Sequence, residues 1–412
     1  MQKLPRLAGL DHSAALLRQG YGFIPDACDR LGSDGFRARI MLRDVVCLRG
    51  PEAVALVYSD TVTRQGSVPG TVLRLLQDKH SVQQQDGAAH RHRKALFLRM
   101  LMQDGAVTAL RDQFRTRLAA ARAEWRTEAE VVLIEAINPV LTDAVCAWVG
   151  LPDLPRPNGL ADTLYRMSDR AGGFGPATWA ALWRRSGVER WLRGLIADAR
   201  AGTVAVRKDT PLCQLIAHRD PDGNPLDDAT LAVELLNILR PVVAIGRYIA
   251  FAAMHLGRAP GWRDRLHGGD PALAESFAEE VRRLSPFFPA VGAITLRPVE
   301  WQGHPLAARQ WVLCDLYGML HDARFFPQPE AFDPTRAQTW RSESDSFVPQ
   351  GGGKVASSHR CPGEWITVTL IAEAVAQLAA DPTWRLPDQD LSVALNRLPA
   401  RPASGVRLRF SG

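Results

Sequence analysis

Cysteine is scarce in this chain. The 412 residues include only Cys28, Cys47, Cys146, Cys213, Cys314 and Cys361, and no two of them form a CxxC or CxxxC pair. That dispersion excludes the usual zinc spacings and a disulfide framework, and it fits a reducing compartment. Long apolar runs are missing too. The N-terminal stretch MQKLPRLAGLDHSAALLRQG lacks the apolar core of a signal peptide. The most apolar segment, 131–149, is broken by Glu135, Asn138, Pro139 and Asp143 and cannot cross a bilayer cheaply. No membrane anchor is expected, and the default location is cytoplasmic. Nor is there a large excess of one charge sign. Fifty basic against 44 acidic residues give a net charge of +6 spread along the chain, a weak argument for nucleic acid and a modest one for anionic ligands. Without Gly/Ser linkers, low-complexity tracts or internal repeats, residues 1–412 are expected to form a single domain.

Helical periodicity dominates what remains. Apolar residues recur at three- and four-residue spacing over 105–125, 160–170, 179–200, 227–256, 270–284 and 363–380. Strand-like runs occur at 38–48, 294–301, 311–316 and 405–410. The expected fold class is mainly α with a small β part. A stretch from Phe325 to Gly353, rich in Pro, Gly and polar residues, has neither period and runs directly toward Cys361, as a loop packed over a functional site does.

The most informative segment is Phe347-Val-Pro-Gln-Gly-Gly-Gly-Lys-Val-Ala-Ser-Ser-His-Arg-Cys-Pro-Gly-Glu-Trp365. Glycine lets a backbone approach a flat cofactor closely. A cysteine just before a helix N-terminus is favoured as thiolate by the helix dipole and nearby amides. Such a thiolate can ligate heme iron. A lone cysteine is equally at home as a small buried hydrophobe. The GGGK piece lacks the GK[ST] ending of a phosphate loop and a preceding strand, which rules that reading out.

On these residues the chain resembles the cytochrome P-450 superfamily and, within it, the bacterial fatty-acid peroxygenase group. The superfamily signature usually has a phenylalanine seven residues before the cysteine ligand. Here Phe347 stands fourteen before Cys361, and the expanded form Gln350–Gly353 with His359–Trp365 resembles the peroxygenase group. The resemblance implies a cytochrome P-450 fold in which heme b (iron protoporphyrin IX) is buried between distal and proximal helices, with Cys361 as axial iron ligand and no reductase domain. Glu280-Val-Arg-Arg283 is similar to the superfamily's Glu-x-x-Arg pair, and Arg336 to the arginine that completes its buried charge network. By spacing alone, Glu280 and Arg283 could equally be a solvated i,i+3 pair contributing about 0.2–0.5 kcal/mol.

A second segment, Val233-Glu-Leu-Leu-Asn-Ile-Leu-Arg240-Pro241-Val-Val-Ala-Ile-Gly-Arg247, resembles the helix that crosses the distal face of the heme. Oxygen-reducing relatives carry an acid and an alcohol there; this chain has Arg240 and Pro241, as the peroxygenase group does. Proline removes an amide donor and kinks the axis. A buried arginine needs a partner, and its planar fork suits a carboxylate. The resemblance implies hydrogen peroxide as oxidant and no redox partner. It also implies a fatty acid or other carboxylate as substrate, held by Arg240, whose own carboxylate serves as the acid–base group. Internal pairing or helix capping by Arg240 is the bland alternative. Gln83 matches a distal-pocket position at which hydroxylating relatives have glutamine, which favours hydroxylation over decarboxylation. His90, Lys94 and His359 match positions that hold the heme propionates; the basic run His90–Lys94 shows no aromatic interleaving of a nucleic-acid module. A redox-partner-fed monooxygenase and a non-catalytic heme carrier or sensor are the competing functions.

Three places depart from the group. Arg247 replaces an apolar or aromatic residue; on a straight helix it would share a face with Arg240 about 10 Å away, and it is expected either to pair with an acid or to alter the substrate pocket. Gln77-Asp78-Lys79-His80-Ser81 replaces a glycine-rich stretch and would either make the acyl channel more polar or lie on the surface. Gly292–Arg297 differs in detail and leaves the heme-edge contacts open.

Overall fold

The computed structural model of the chain describes residues 3–151, 155–336 and 345–411. Helices stand where the apolar spacing puts them: Asp104–Trp125, Leu160–Asp169, Pro176–Arg200, Pro271–Leu284 and Glu364–Ala379. Two of these begin on proline, whose missing amide costs nothing in a first turn. In a third, central helix the cap Asp227 accepts from the Thr230 amide at 2.8 Å, and in Pro271–Leu284 the cap Asp270 accepts from Ala272 N at 2.9 Å, satisfying amides that have no partner within the helix. Leu133–Val149, the apolar stretch of the sequence, packs between Asp104–Trp125 and the central helix.

The central run expected over 227–256 is two helices, Asp228–Ala244 and Gly246–Arg258. Pro241 has no amide to give, and the Ile245 amide turns back to the Val242 carbonyl at 3.1 Å, so the ladder is interrupted here. Gly246 follows at a point where a Cβ would lie 2.8 Å from Ile137 Cγ2 and 2.9 Å from Asn138 Oδ1, so only glycine lets the two helices approach. The pair is long and apolar enough to span a bilayer, but 89% of its most apolar window is buried inside the protein, where it forms the core.

The strand runs are segmented more finely than their sequence suggests. Residues 38–48 belong to a hairpin, Gly35–Ile40 and Arg43–Leu48, turned by Met41 and Leu42 at φ 50° and 58°. This hairpin joins a five-stranded sheet in the order Gly35–Ile40, Arg43–Leu48, Trp311–Asp315, Ala290–Thr295, Val62–Thr63, with the second and third strands parallel. The 294–301 run is divided between that sheet and a two-stranded ribbon, Val299–Trp301 with His304–Leu306. Arg407–Phe410 pairs with Glu130–Val132 and Trp384–Arg385. Part of the Phe325–Gly353 stretch, residues 337–344, lies outside the described residues.

Candidate active site around Cys361

A cavity of about 510 Å³ separates the broken central helix from the start of Glu364–Ala379. Its roof includes Asn237, Arg240, Pro241, Ala244 and Tyr248; its floor includes Gln350, Cys361, Gly363 and Thr367. Of the six cysteines only Cys361 lines it. The structure therefore separates this thiol from the other five, which spacing alone cannot do.

The glycine loop fits this place for steric reasons. Gly351 has φ +101°, and a Cβ on it would sit 2.3 Å from Tyr58 Oη; on Gly352 it would sit 2.3 Å from Val54 Cγ1. The Cys361 amide donates to the Gln350 carbonyl at 3.3 Å. Gln350 Nε2 donates to Cys361 Sγ at 3.6 Å and to Thr367 Oγ1 at 3.2 Å. Burial pushes the Cys361 thiol up, while the Gly363 amide and the charges of Lys94 and Arg282 pull it down. A cation at Sγ would tip that balance to thiolate.

Two buried charge networks fix the loop and the helices beneath it. Arg283 meets Glu280 through two bonds, at 2.7 and 2.8 Å, and Arg336 Nε reaches the same carboxylate at 3.2 Å. All three residues expected to form the network are brought together, and Glu280 and Arg283 are fully buried rather than solvated. The second network was missed by the sequence reading. Arg282 bonds Glu279 at 2.7 Å, Glu364 at 2.6 Å and Gln350 Oε1 at 3.0 Å, while Arg360 Nε holds Glu364 at 2.8 Å. Its signal was a second i,i+3 Glu–Arg pair overlapping the first. That spacing cannot say both pairs are buried.

One edge of the cavity is lined by nitrogen donors, among which Lys94 carries the charge. His90 and His359 lie ring to ring, 4.0 Å between centroids, and Lys94 Nζ donates to the carbonyls of Ser358 and Arg360, at 2.5 Å each. Burial, then His359 and Lys94, push His90 down to about 3, and burial lowers Lys94 to about 8. Arg64, not singled out in the sequence, stands behind this edge rather than on the cavity wall, with its charge acting on His359. It is buried, donates to Gly292 O at 2.6 Å, and leaves Nη2 without a partner. At the Gly292–Arg297 departure, Arg297 is exposed and Arg64, just past the neighbouring strand Val62–Thr63, bonds the Gly292 carbonyl.

Arg240 is 8% exposed, and burial pushes its guanidinium down to about 9. Nη2 donates to the Leu76 carbonyl at 2.6 Å, Nε has no partner, and among the described residues no carboxylate pairs with it. Of the two bland alternatives, an internal ion pair is absent among the described residues, while the bond to Leu76 does cap the end of helix Gly70–Leu76. Gln83 lines the cavity with its Oε1 accepting from Asn237 Nδ2 at 3.2 Å. Asn237 bonds the fully buried Glu234 at 3.3 Å. Arg247 does not share this site. Beyond the break at Ile245 it turns to Asp169 at 2.9 Å and to the carbonyls of Pro399 and Ala400, 2% exposed, and does not line the cavity. Of residues 77–81 only Gln77 reaches the cavity; Asp78 is buried in ion pairs, and Lys79 and His80 face solvent. Most of the remaining wall, including Leu16, Val72, Phe174 and Phe287, is apolar, as an acyl chain needs.

This donor set fits heme. A slot between two helices offers one half-buried thiol on one face, the nitrogen donors of His90, His359 and Lys94 at one edge for propionates, and a largely apolar space on the opposite face.

Known proteins place the chain. The cytochrome P450 family model matches residues 272–370. Cytochrome P450SP alpha (CYP152B1), solved with (R)-ibuprofen, is 38% identical, with 97% of this chain and 98% of that one covered and a TM-score of 0.91. Cytochrome P450EX alpha (CYP152N1), solved with myristic acid, is 32% identical over 99% of each chain, TM-score 0.92. A variant of cytochrome P450 OleT, solved with arachidonic acid, is 32% identical over 99% of this chain and 98% of that one, TM-score 0.94. With the same fold over its whole length and an expanded glycine loop around Cys361, the chain belongs to the cytochrome P450 superfamily and, within it, to the bacterial fatty-acid peroxygenase group, CYP152.

Proposed function

We propose that this protein hydroxylates fatty acids or related carboxylic acids with hydrogen peroxide, decarboxylation being a competing outcome, with Cys361 as the heme ligand and Arg240 as the substrate anchor. The observation that carries the reading is Arg240 itself: a buried cation lining the cavity, with an Nε that has no partner and no acidic partner among the described residues. An isolated interior charge is costly, and a bidentate carboxylate removes the cost. The three similar structures hold carboxylic acids.

When bound, heme ligated by a thiolate supplies the oxidising centre that places an oxygen atom from peroxide on a carbon of the substrate. The chain's own residues do the positioning. Gln350 donates to Sγ of Cys361 and moderates its negative charge. His90, Lys94 and His359 suit the propionates. Arg240 orients the substrate carboxylate, which then moves a proton between the two oxygens of hydrogen peroxide. Gln83, tied to Asn237, fixes the wall beside it. Pro241 stands on this helix where a hydroxyl side chain would be needed for proton delivery to dioxygen, which supports peroxide as the oxidant and the absence of a redox partner. The single-domain reading and a cytoplasmic location go with it, supported by six unpaired thiols.

Peroxide and a fatty acid alone, with no reductase, should yield hydroxy acid when products are separated by mass spectrometry. Turnover seen only with NADPH and electron-transfer proteins would refute the proposal.

A further inference from the structure

Behind the wall that carries Arg240 lies a second buried arginine that does not line the cavity. Arg185, on Pro176–Arg200, is 1% exposed. Its Nε donates to Glu189 at 2.7 Å, Nη2 donates to the Gln77 carbonyl at 2.8 Å and lies 3.7 Å from Asp78, and Nη1 has no partner. The preceding carbonyl, Leu76, accepts from Arg240. Helix Gly70–Leu76 ends here, so its last carbonyls have no partners within the helix and carry the negative end of its dipole. Two guanidiniums thus grip successive carbonyls of one helix end. Arg74 completes the group by pairing with Asp78 and with Glu189.

The formal charges do not cancel. Arg74, Arg185 and Arg240 contribute three positive charges, and Asp78 and Glu189 two negative ones, leaving +1. Arg185 is close enough to Arg240 for its charge to depress the latter's protonation, second only to burial. A monocarboxylate beside Arg240 would bring the cluster to neutrality.

We infer that Arg185 is a positioning residue for the substrate carboxylate: it fixes the Leu76–Gln77 carbonyls that tether one edge of Arg240 and keeps the cluster one negative charge short, so that the cavity favours a monoanion over a neutral ligand of the same shape. This rests on Arg240 being the anchor. Were Arg185 only a packing element, its loss would weaken anionic and neutral ligands alike.

The discriminating measurement is calorimetric binding of myristic acid and of methyl myristate to heme-loaded wild-type, Arg185→Gln, Arg185→Lys and Arg240→Ala proteins. Arg185→Gln should weaken the acid about tenfold, about 1.4 kcal/mol, with the ester within about twofold of wild type; Arg185→Lys, which keeps the charge and loses the fork, should weaken the acid about threefold. In turnover, KM for the acid should rise by the same factors while kcat changes less. Equal weakening of acid and ester, or no weakening, overturns the inference. Should Arg185→Gln fail to take up heme, Arg185→Lys decides alone, an unchanged acid-to-ester ratio overturning it. If Arg240→Ala keeps the wild-type ratio, the anchor reading itself fails; if Arg240→Ala loses the ratio and Arg185→Gln keeps it, only the role of Arg185 is refuted.

Discussion

Replacing Arg240 by alanine removes the guanidinium from the roof of the cavity and leaves the backbone of its helix intact. In the acid-bound protein the side chain is one half of a buried, hydrogen-bonded ion pair. Deleting one half of such a pair costs about 2–5 kcal/mol, which is roughly 30- to 5,000-fold in affinity at about 1.4 kcal/mol per tenfold. Arg240 lies on the roof and Cys361 on the floor, so heme content and the carbon-monoxide difference spectrum should be unchanged. The space vacated is open to small anions. Acetate or formate should therefore partly restore peroxide-driven turnover of substrates that lack an acid. Wild-type affinity should also depend on pH in a fixed direction. Arg240, lowered to about 9 by burial and by Arg185, is charged below that value, so acid binding is complete below about pH 9 and weakens as pH rises through it. On the acid side binding fails as the substrate carboxylate protonates, near pH 4–5 for an ordinary carboxyl. The assay is KM, kcat and calorimetric affinity for a fatty acid across pH 5–10. An Arg240→Ala protein with unchanged KM and kcat, or a wild type whose affinity is flat through pH 9, would refute the carboxylate mechanism.

Arg283→Ala removes the two-bonded partner of Glu280 in the core and leaves that carboxylate to Arg336, at up to about 3–5 kcal/mol; we expect a protein that does not retain heme, read from its Soret absorbance. Gln350→Leu removes the side-chain donor to Sγ and leaves a more electron-rich sulfur, so spectroelectrochemistry should give a more negative iron potential, an unmoved potential counting against the bond. Gly351→Ala places a Cβ 2.3 Å from Tyr58 Oη at φ +101°; heme incorporation should fall, and Tyr58→Ala should partly rescue it. His255, stacked 3.9 Å from Phe332, is pushed down to about 3 by burial and then by Arg258. Its folded value lies below the unfolded value of about 6.5, so its contribution is complete above pH 6.5 and is lost as pH falls toward 3, by up to about 1.4 kcal/mol per unit. Melting temperature against pH should show a shallower acid-side slope in His255→Leu.

Much of the site was legible because its signals are local. The glycine loop around Cys361, the Glu280–Arg283 spacing and the Arg240-Pro241 pair are each contiguous in sequence; the structure brings Cys361 and Arg240 to one cavity and buries Glu280 with Arg283. Arg64, Arg282 and Arg185 were not legible. Each is one arginine among many, and its importance comes from partners 228, 82 and 108 residues away. Arg247 does pair with an acid, one of the two outcomes expected for it, though which acid was not legible for the same reason. A straight helix puts it on the face of Arg240, but the break at Ile245 and the close passage of Gly246 turn it toward Asp169.

The sequence by itself determined the helix periods, the thiol available for heme and the replacement of an acid–alcohol pair by Arg240-Pro241, because spacing and residue chemistry are properties of the chain. Only the tertiary structure decided which charges are paired and which are not, since burial and partnership depend on residues brought together from distant segments. It paired Glu280 and Asp169 with arginines, and it left Arg240 on the cavity wall with a buried nitrogen that has no partner.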